Sequence, residues 1–509
     1  MRSKKAIYNL IANLTLQIIT SIIGIILPKL FIEAYGSNVN GMVSSINQFL
    51  RYLSLVEAGL GAASIASLYG PLALKNTSRI NEILSASRNL YIKSGYIFAA
   101  LTIGMALIYP LIIRGEIGFA TSSIMVLILA GSGLVEYFIV GKYRVLLIAD
   151  QKSYVISMIQ SFGVLLNAIV AIIFIKAGFN VILTQSAATL VFISRVFFIV
   201  KYVKVKYPNL KYNLTPDLSA IDRRWDAFIQ QFTNMAILTS PIIIITIFCS
   251  LSEVSVYVIY SLIFTGVNMI LSAFSNGFVA GFGQIIAKKE NDVLRRNFNK
   301  YEYIYYILLT WTYTCALLLI LPFIEIYTNN ISDTNYIRPI VAILFVVVGV
   351  SYNIRIPHST MINAGGLYRE TKFQSIIEAS INLISSLILV QFFGIIGVLL
   401  GSLISNIYRT PEIILFTSKH ITKSRPWKSL FRIILMVILG GLSALPFIFV
   451  FEIEVENIIQ WLLMSIIVSV IVMIVILLGN MIFEYAVFKE IIKQIFAILK
   501  SFTRKIEKR

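Results

Sequence analysis

Apolar residues along this chain gather into runs of about 20 or more, separated by short polar breaks, and about 20 residues is what a helix needs to cross a bilayer. The pattern places spans near 7–32, 43–69, 91–113, 118–140, 154–176, 180–200, 226–249, 255–283, 303–325, 338–358, 374–393, 394–416, 430–450 and 457–482. It therefore predicts an all-α polytopic membrane protein of about 14 transmembrane helices. The opening Met1-Arg-Ser-Lys-Lys5 looks like the start of a signal peptide. The apolar run from Ile7 to Ile32 is too long for one, and no small-x-small cleavage site ends it, so it reads as a retained first helix.

Loop charge orients the spans. The loops on the side of the two termini hold 35 of the 43 Lys and Arg, counting Lys93 and Arg432 at flanking helix ends. The opposite side holds four, Lys29, Arg114, Lys176 and Arg338. Basic loops stay in the cytoplasm, so both termini are expected there. On that inner surface, Leu72 to Leu90 reads as an amphipathic helix, and Lys500 to Arg509 as a tail resting on anionic lipid. Tyr301, Tyr303, Tyr305 and Tyr306 open a span and read as interfacial anchors.

The longest loop, about residues 201–225, carries turn formers and six basic groups and reads as a linker. A faint repeat crosses it. Leu146-Leu-Ile-Ala-Asp-Gln-Lys-Ser-Tyr154 resembles Asn363-Ala-Gly-Gly-Leu-Tyr-Arg-Glu-Thr-Lys-Phe373, each followed by an apolar helix, and the next spans carry similarly placed Arg195 and Arg409. The domain expectation is an N-terminal six-helix lobe over 1–212, a C-terminal six-helix lobe over 213–424, and an appended helix pair with a basic cytoplasmic tail over 425–509. Repeated lobes commonly enclose a substrate path.

Composition narrows the function. Apolar residues make up 58% of the chain, against about 45–50% in soluble domains, and leave almost nothing for a soluble domain. The net charge of +19 is then a membrane-side surplus rather than a nucleic-acid signature. Two cysteines, Cys249 and Cys315, and two histidines, His358 and His420, support neither a disulfide framework nor a multi-histidine metal site, and no cofactor is expected. There is no phosphate-binding G-x-x-x-x-G-K-[ST] loop. The first external loop, Glu33 to Gly41, is too short to house catalytic groups, which counts against an enzyme.

Charges within spans are the clearest functional signal, because an unpaired ionised group in hydrocarbon costs from about 3 to more than 10 kcal/mol. The basic ones are all arginines: Arg51, Arg195, Arg355 and Arg409. The acidic ones are Glu57, Glu136, Glu378 and Glu412. Arg51 and Glu57 sit six positions apart, about 240° around one helix, so each needs a partner on another helix or water. With Asn47, Gln48 and several serines on the same span, that argues for a hydrated cavity. Pro357 should loosen the helix at Arg355. The expected substrate-binding set is Arg51, Arg355, Asn47, Gln48, Arg409 and Arg195. Glu57 and Glu136 are the expected ion-coupling carboxylates, and Glu378, close to its loop, is expected to be a surface or paired carboxylate.

Gly41-Met-Val-Ser-Ser-Ile-Asn-Gln-Phe-Leu-Arg-Tyr-Leu-Ser-Leu-Val-Glu-Ala-Gly-Leu-Gly61, the Tyr69-Gly-Pro-Leu-Ala73 exit and the Tyr143-Arg-Val-Leu-Leu-Ile-Ala-Asp-Gln-Lys-Ser-Tyr154 turn resemble bacterial polysaccharide transporters. These are the Wzx-type lipid-linked oligosaccharide flippases of the multidrug/oligosaccharidyl-lipid/polysaccharide exporter superfamily. The resemblance implies a two-lobed, alternating-access transporter in the bacterial plasma membrane. It would move undecaprenyl-diphosphate-linked glycan repeat units outward, with membrane lipids, H+ or Na+, and polysaccharide polymerase and assembly proteins as partners. Arginine suits such a cargo, since it binds phosphate oxygens bidentately. A peptidoglycan-precursor flippase and a multidrug/cation antiporter are the nearest alternatives, and a membrane glycosyltransferase or polymerase is a more distant one.

Overall fold

The fold is helical throughout the residues described by the computed structural model, which are 2–57, 60–210, 224–449 and 453–494. Contacts divide the chain into two units, Met1–Ile259 with Asn330–Thr334, and Tyr260–Asn329 with Asn335–Arg509. The expected lobe boundary at 212/213 and the basic tail from Lys500 lie outside the described residues.

In the first unit, α1 (Arg2–Tyr35) and α2 (Ser37–Leu53) are joined by Gly36 alone, so the expected loop from Glu33 to Gly41 is almost entirely helix. Gly36 makes the turn at a φ of 85° that favours glycine. Asp333 then caps α2, accepting from the Ser37 amide and hydroxyl at 2.6 Å each, an anion at the positive end of a helix. The span expected over 43–69 is not one helix. α2 tightens into a 3-10 turn at Ser54–Glu57, and α3 follows over Leu60–Ala73.

Asn76 caps α4 (Thr77–Ile112) by accepting from the Arg79 amide at 3.0 Å. The expected surface helix over 72–90 is therefore corrected: most of it is the first turns of a long span, with Ile80, Ile83, Leu84 and Ala86 buried. α5 (Phe119–Val135) passes through one π turn, Glu136–Val140, into α6 (Gly141–Ala149). The unit continues with α7 (Ser153–Lys176), α8 (Val181–Lys206), α9 (Arg224–Phe248) and the first residues of α10 (Leu251–Ala287). α1 packs on α7, α7 on α8, α8 on α5 and α5 on α4, around Met42, Ile46, Leu84, Tyr109 and Leu146.

The Ala149-Asp-Gln-Lys152 turn staples this unit. Asp150 pairs with Lys5 of α1 at 3.2 Å and with Lys152 at 2.6 Å, and accepts from the Tyr207 hydroxyl at 2.5 Å. Burial pushes its carboxyl up. The hydrogen bonds from Lys152, Tyr207 and Lys5, with the charge of Lys152, outweigh that and hold it below the usual carboxylate range.

The second unit contains the rest of α10, then α11 (Asn291–Thr328), α12 (Pro339–Asn353), α13 (Ile356–Gly365), α14 (Tyr368–Phe393), α15 (Ile395–His420), α16 (Pro426–Phe449) and α17 (Ile458–Phe483). The break between α12 and α13 falls where Pro357 predicts it. α14 and α15 pack most closely. A Cβ on Gly397 would lie 2.1 Å from the Leu389 carbonyl oxygen, and one on Gly401 2.3 Å from Ser386 Oγ, so neither position has room for a side chain. α11 is the hub for α12, α16 and α17.

The expectation that the tyrosines of α11 sit at a membrane interface is corrected. Tyr301, Tyr303, Tyr305 and Tyr306 are all buried. Tyr301 stacks on Phe274, Tyr305 donates to Asn353 at 3.1 Å, and Tyr306 donates to the Ile354 carbonyl at 3.0 Å. Aromatic side chains seal the inside of this unit because the hydroxyls of Tyr301, Tyr305 and Tyr306 find helix partners there, while that of Tyr303 finds none among the described residues.

Among the described residues, eleven helices are long and apolar enough to cross a membrane. Large apolar side chains such as Ile18 and Ile22 on α1, and Leu462, Ile466 and Ile474 on α17, remain exposed. That surface is stable only against lipid, and the chain is a multi-pass membrane protein.

Candidate functional site

Helix α2 is two-faced. Met42, Ile46 and Leu50 are buried, and Ser45 hydrogen-bonds the buried Tyr109 hydroxyl at 2.5 Å. α2 approaches the start of α10 so closely that a Cβ on Gly41 would sit 1.8 Å from the Leu251 carbonyl oxygen, and Asn40 donates to Ser255 at 2.8 Å. Its other face is polar. Asn47 and Arg51 are four residues apart, share one stripe, and are both exposed. Gln48 lies beside them, half-buried, with its Oε1 lacking a partner among the described residues. Arg51 has no carboxylate within ion-pair reach among the described residues, so a guanidinium stands on this stripe that none of them neutralises. Such a face is compatible with water or an anion and not with lipid tails.

Just beyond α2, Glu57 ends the 3-10 turn and begins a chain of alternating charges. Arg144 reaches Glu57 at 3.2 Å and Glu136 at 3.1 Å, and Arg195 of α8 lies 3.7 Å from the other oxygen of Glu136. Arg195 also lies over the Phe192 ring at 3.9 Å. The π turn makes the Arg144–Glu136 contact possible. In an α-helix, residues 136 and 144 would differ by about 80°. The extra residue in the π turn, closed by the Gly141 amide on the Glu136 carbonyl, reduces this to about 20°. Glu136 and Arg144 thereby face one way, from two turns apart.

Sequence reasoning found Glu57, Glu136 and Arg195 but missed Arg144, which ties them together. Residue 144 reads as a loop position just past a span, and only the π turn within a continuous helix reveals its place. A usable signal was the unmet need of Glu57 for a cation on another helix.

The second unit treats its arginines differently. Arg355 donates to Glu378 at 2.5 Å and lies over the Tyr352 ring at 4.5 Å. Arg409 pairs with the other Glu378 oxygen at 3.4 Å, donates to Ser375 at 3.2 Å and is joined to Glu412. Arg355, Arg409 and Glu378 are all buried, so of the two places the sequence leaves open for Glu378, surface or paired, the structure shows the paired one. The premise of unpaired guanidinium groups thus holds for Arg51 and fails for Arg195, Arg355 and Arg409, because carboxylates on neighbouring helices neutralise them.

A second buried cluster involves residues that the span boundaries hide. Glu302 accepts from Ser429 at 2.5 Å and Arg432 at 2.8 Å, and Arg432 holds Glu484 through two bonds of 2.6 and 2.7 Å. His358 is wholly buried, bonded to Thr417 at 2.6 Å and 3.2 Å from Glu302. No group of three or more His, Cys, Asp or Glu among the described residues could hold a metal ion.

Together these features define a polytopic helical membrane protein with an open basic stripe in one unit and neutralised charge clusters in both. By fold it is similar to a lipid II flippase, MurJ, in an inward closed conformation, with a TM-score of 0.68 and 16% identity over 92% of this chain and 98% of that one. It is also similar to a multidrug resistance MATE family transporter of the MOP superfamily. The inward-facing form gives a TM-score of 0.63 and 13% identity over 82% of this chain and 96% of that one, and the outward-facing form 0.52 and 15% over 85% and 96%. No family model matches the chain, and no curated protein matches it by sequence. The chain has the MurJ/MATE fold, and these neighbours are transporters and flippases rather than enzymes.

Proposed function

We propose that this protein is a flippase for lipid-linked anionic glycans, moving undecaprenyl-diphosphate-linked oligosaccharide repeat units across the bacterial plasma membrane by alternating access, with both termini in the cytoplasm. The observation that carries this reading is the exposed α2 stripe of Asn47, Gln48 and Arg51, whose guanidinium has no carboxylate partner among the described residues. A lipid diphosphate brings concentrated negative charge and sugar hydroxyls into the membrane. Arginine meets the first bidentately, and the side-chain amides can hydrogen-bond the second. A cation antiporter has the opposite need, an unpaired acid.

Arg144 is the next group such an anion meets chemically. It is bound to two carboxylates and is half-buried, so a phosphate can compete for it. Glu57 and Glu136 would then be released to take a proton or sodium ion, which gives the expected coupling carboxylates a concrete role. Arg195, Arg355 and Arg409 could serve the substrate only by giving up Glu136 or Glu378, and each braces the helices of its own unit. A polysaccharide polymerase and assembly proteins would take the cargo on the far side.

A peptidoglycan-precursor flippase is the second reading, favoured by the likeness in fold to a lipid II flippase, and shares the lipid diphosphate. Reconstitution into vesicles with a lipid-linked oligosaccharide or a lipid-linked peptidoglycan precursor, measuring leaflet exposure with and without ion gradients, separates the two. The oligosaccharide should be moved by the parent, and by Arg51→Ala only at roughly ten- to a hundredfold higher concentration. Transport that survives Arg51→Ala at parental rate sinks the assignment of this stripe.

A further inference from the structure

The second unit holds a basic cavity of about 870 Å³ where α11 and α16 begin. Arg295 and Arg296 line it from the first turns of α11, and Lys423, Arg425 and Lys428 from the segment entering α16. All five are exposed, and none has an ion-pair partner among the described residues. Asp292 also lines the cavity without pairing to any of them, and Glu302 at its floor is already neutralised by Arg432.

The loop presenting the cations is fixed. Ile421 and Thr422 are buried, Thr422 bonds Ser424 at 2.7 Å, and Lys423 is held at a φ of 48°, unfavourable for a residue with a side chain. Two helix N-termini add their positive ends. From the rim, Trp427 opens a stripe of exposed apolar residues, Phe431, Ile434 and Ile438, that runs down α16 at helical spacing.

From this joining of a cation cage to a lipid-facing track, we infer that the cavity is a binding site for the headgroup of an anionic phospholipid. The phosphate sits among the five cations, the Trp427 indole lies at the headgroup level, and the acyl chains follow α16. A free phosphate would gain nothing from the apolar stripe, and a zwitterionic lipid would bring its own cation into the cage. The site lies wholly within the second unit and does not depend on the proposed transport activity.

The test uses the full-length chain in neutral detergent, with native mass spectrometry for retained lipid and thermal melting for protection. Dioleoyl-phosphatidylglycerol should be retained and raise the melting temperature, and dioleoyl-phosphatidylcholine should do neither. Each basic group near a membrane anion contributes a factor of about five in affinity, so Arg295→Gln/Arg296→Gln/Lys423→Gln should weaken retention roughly a hundredfold. Its melting temperature without lipid should match the parent's. If the triple variant melts lower, Arg296→Gln alone replaces it and should lose about fivefold. Equal retention of the two lipids, undiminished retention in the variant, or protection by inorganic phosphate equal to that by phosphatidylglycerol would each overturn the proposal.

Discussion

Two four-membered chains of alternating charge, Glu57–Arg144–Glu136–Arg195 in the first unit and Glu412–Arg409–Glu378–Arg355 in the second, have the same composition and different surroundings. In the first, side-chain exposures run from 13% to 34%. In the second, Arg355, Glu378 and Arg409 are 4–8% exposed. Both place one glutamate between two arginines, and Arg195 and Arg409 occupy matching places in the faint sequence repeat. The difference teaches that charge pattern alone does not define a binding group. A half-exposed ion pair gains little net energy and can trade partners, whereas a sealed one is held by the cost of leaving any member alone.

The sharpest break in this comparison is Glu378→Ala, which strands Arg355 in a buried site, leaves Arg409 with Glu412 alone and should cost about 3–5 kcal/mol. Thermal melting and the yield of monodisperse protein should both fall. The apolar double replacement Arg355→Met/Glu378→Leu should recover most of the loss, since it removes the stranded charge and leaves Arg409 paired with Glu412. Parental melting in Glu378→Ala would mean that the second chain is as labile as the first.

Next in size is Arg51→Ala. Losing a charged hydrogen bond to phosphate removes about 1.5–3 kcal/mol of binding, roughly ten- to a hundredfold in the concentration needed for transport. Melting should stay at the parental value, because this side chain pairs with no other side chain among the described residues. Arg51→Lys should recover part of the transport, keeping the charge and losing the fork.

Arg144→Gln sharpens the comparison from the wet side. Its stability cost should stay near 1 kcal/mol, well below that of Glu378→Ala, because its pairs are partly solvated. Its signature should instead be a changed dependence of transport on the imposed ion gradient, with Glu57 and Glu136 left without their shared cation. An unchanged gradient dependence removes these carboxylates from coupling.

The smallest effect concerns the Asp150 staple. Its carboxyl is held below the ordinary range, so the staple's contribution is complete above the unfolded-state value near 4 and is lost as pH falls through the lower folded value. Asp150→Asn should therefore lower melting by under about 1 kcal/mol at neutral pH, and the gap to the parent should close on acidification below about pH 4. A gap that widens in acid would reverse the sign of the linkage.

Much of the fold is legible in the pattern of runs. Length and apolarity mark the long helices, and Pro357 marks the break before α13. Three features are not legible, for a common reason. The interruption of α2 at Ser54, the π turn at Glu136 and the burial of Tyr301, Tyr305 and Tyr306 all depend on what lies across a helix interface, and a window along one helix averages over its faces. Of the site, the α2 stripe and the carboxylates could be named in advance. Arg144 could not, because its relevance comes from an angle that the π turn sets.

The sequence by itself determined that this chain is a helical, multi-pass membrane protein and named some of the charges within its helices, since desolvation acts on every residue whatever its neighbours. Only tertiary structure decided which charges are answered. Glu378 reaches two arginines across three helices and cancels them, while no described carboxylate reaches Arg51. Ion pairing acts over a few ångströms between residues far apart in the chain, so the distinction between a strut and a hand held open is written in the packing and not in the order of the residues.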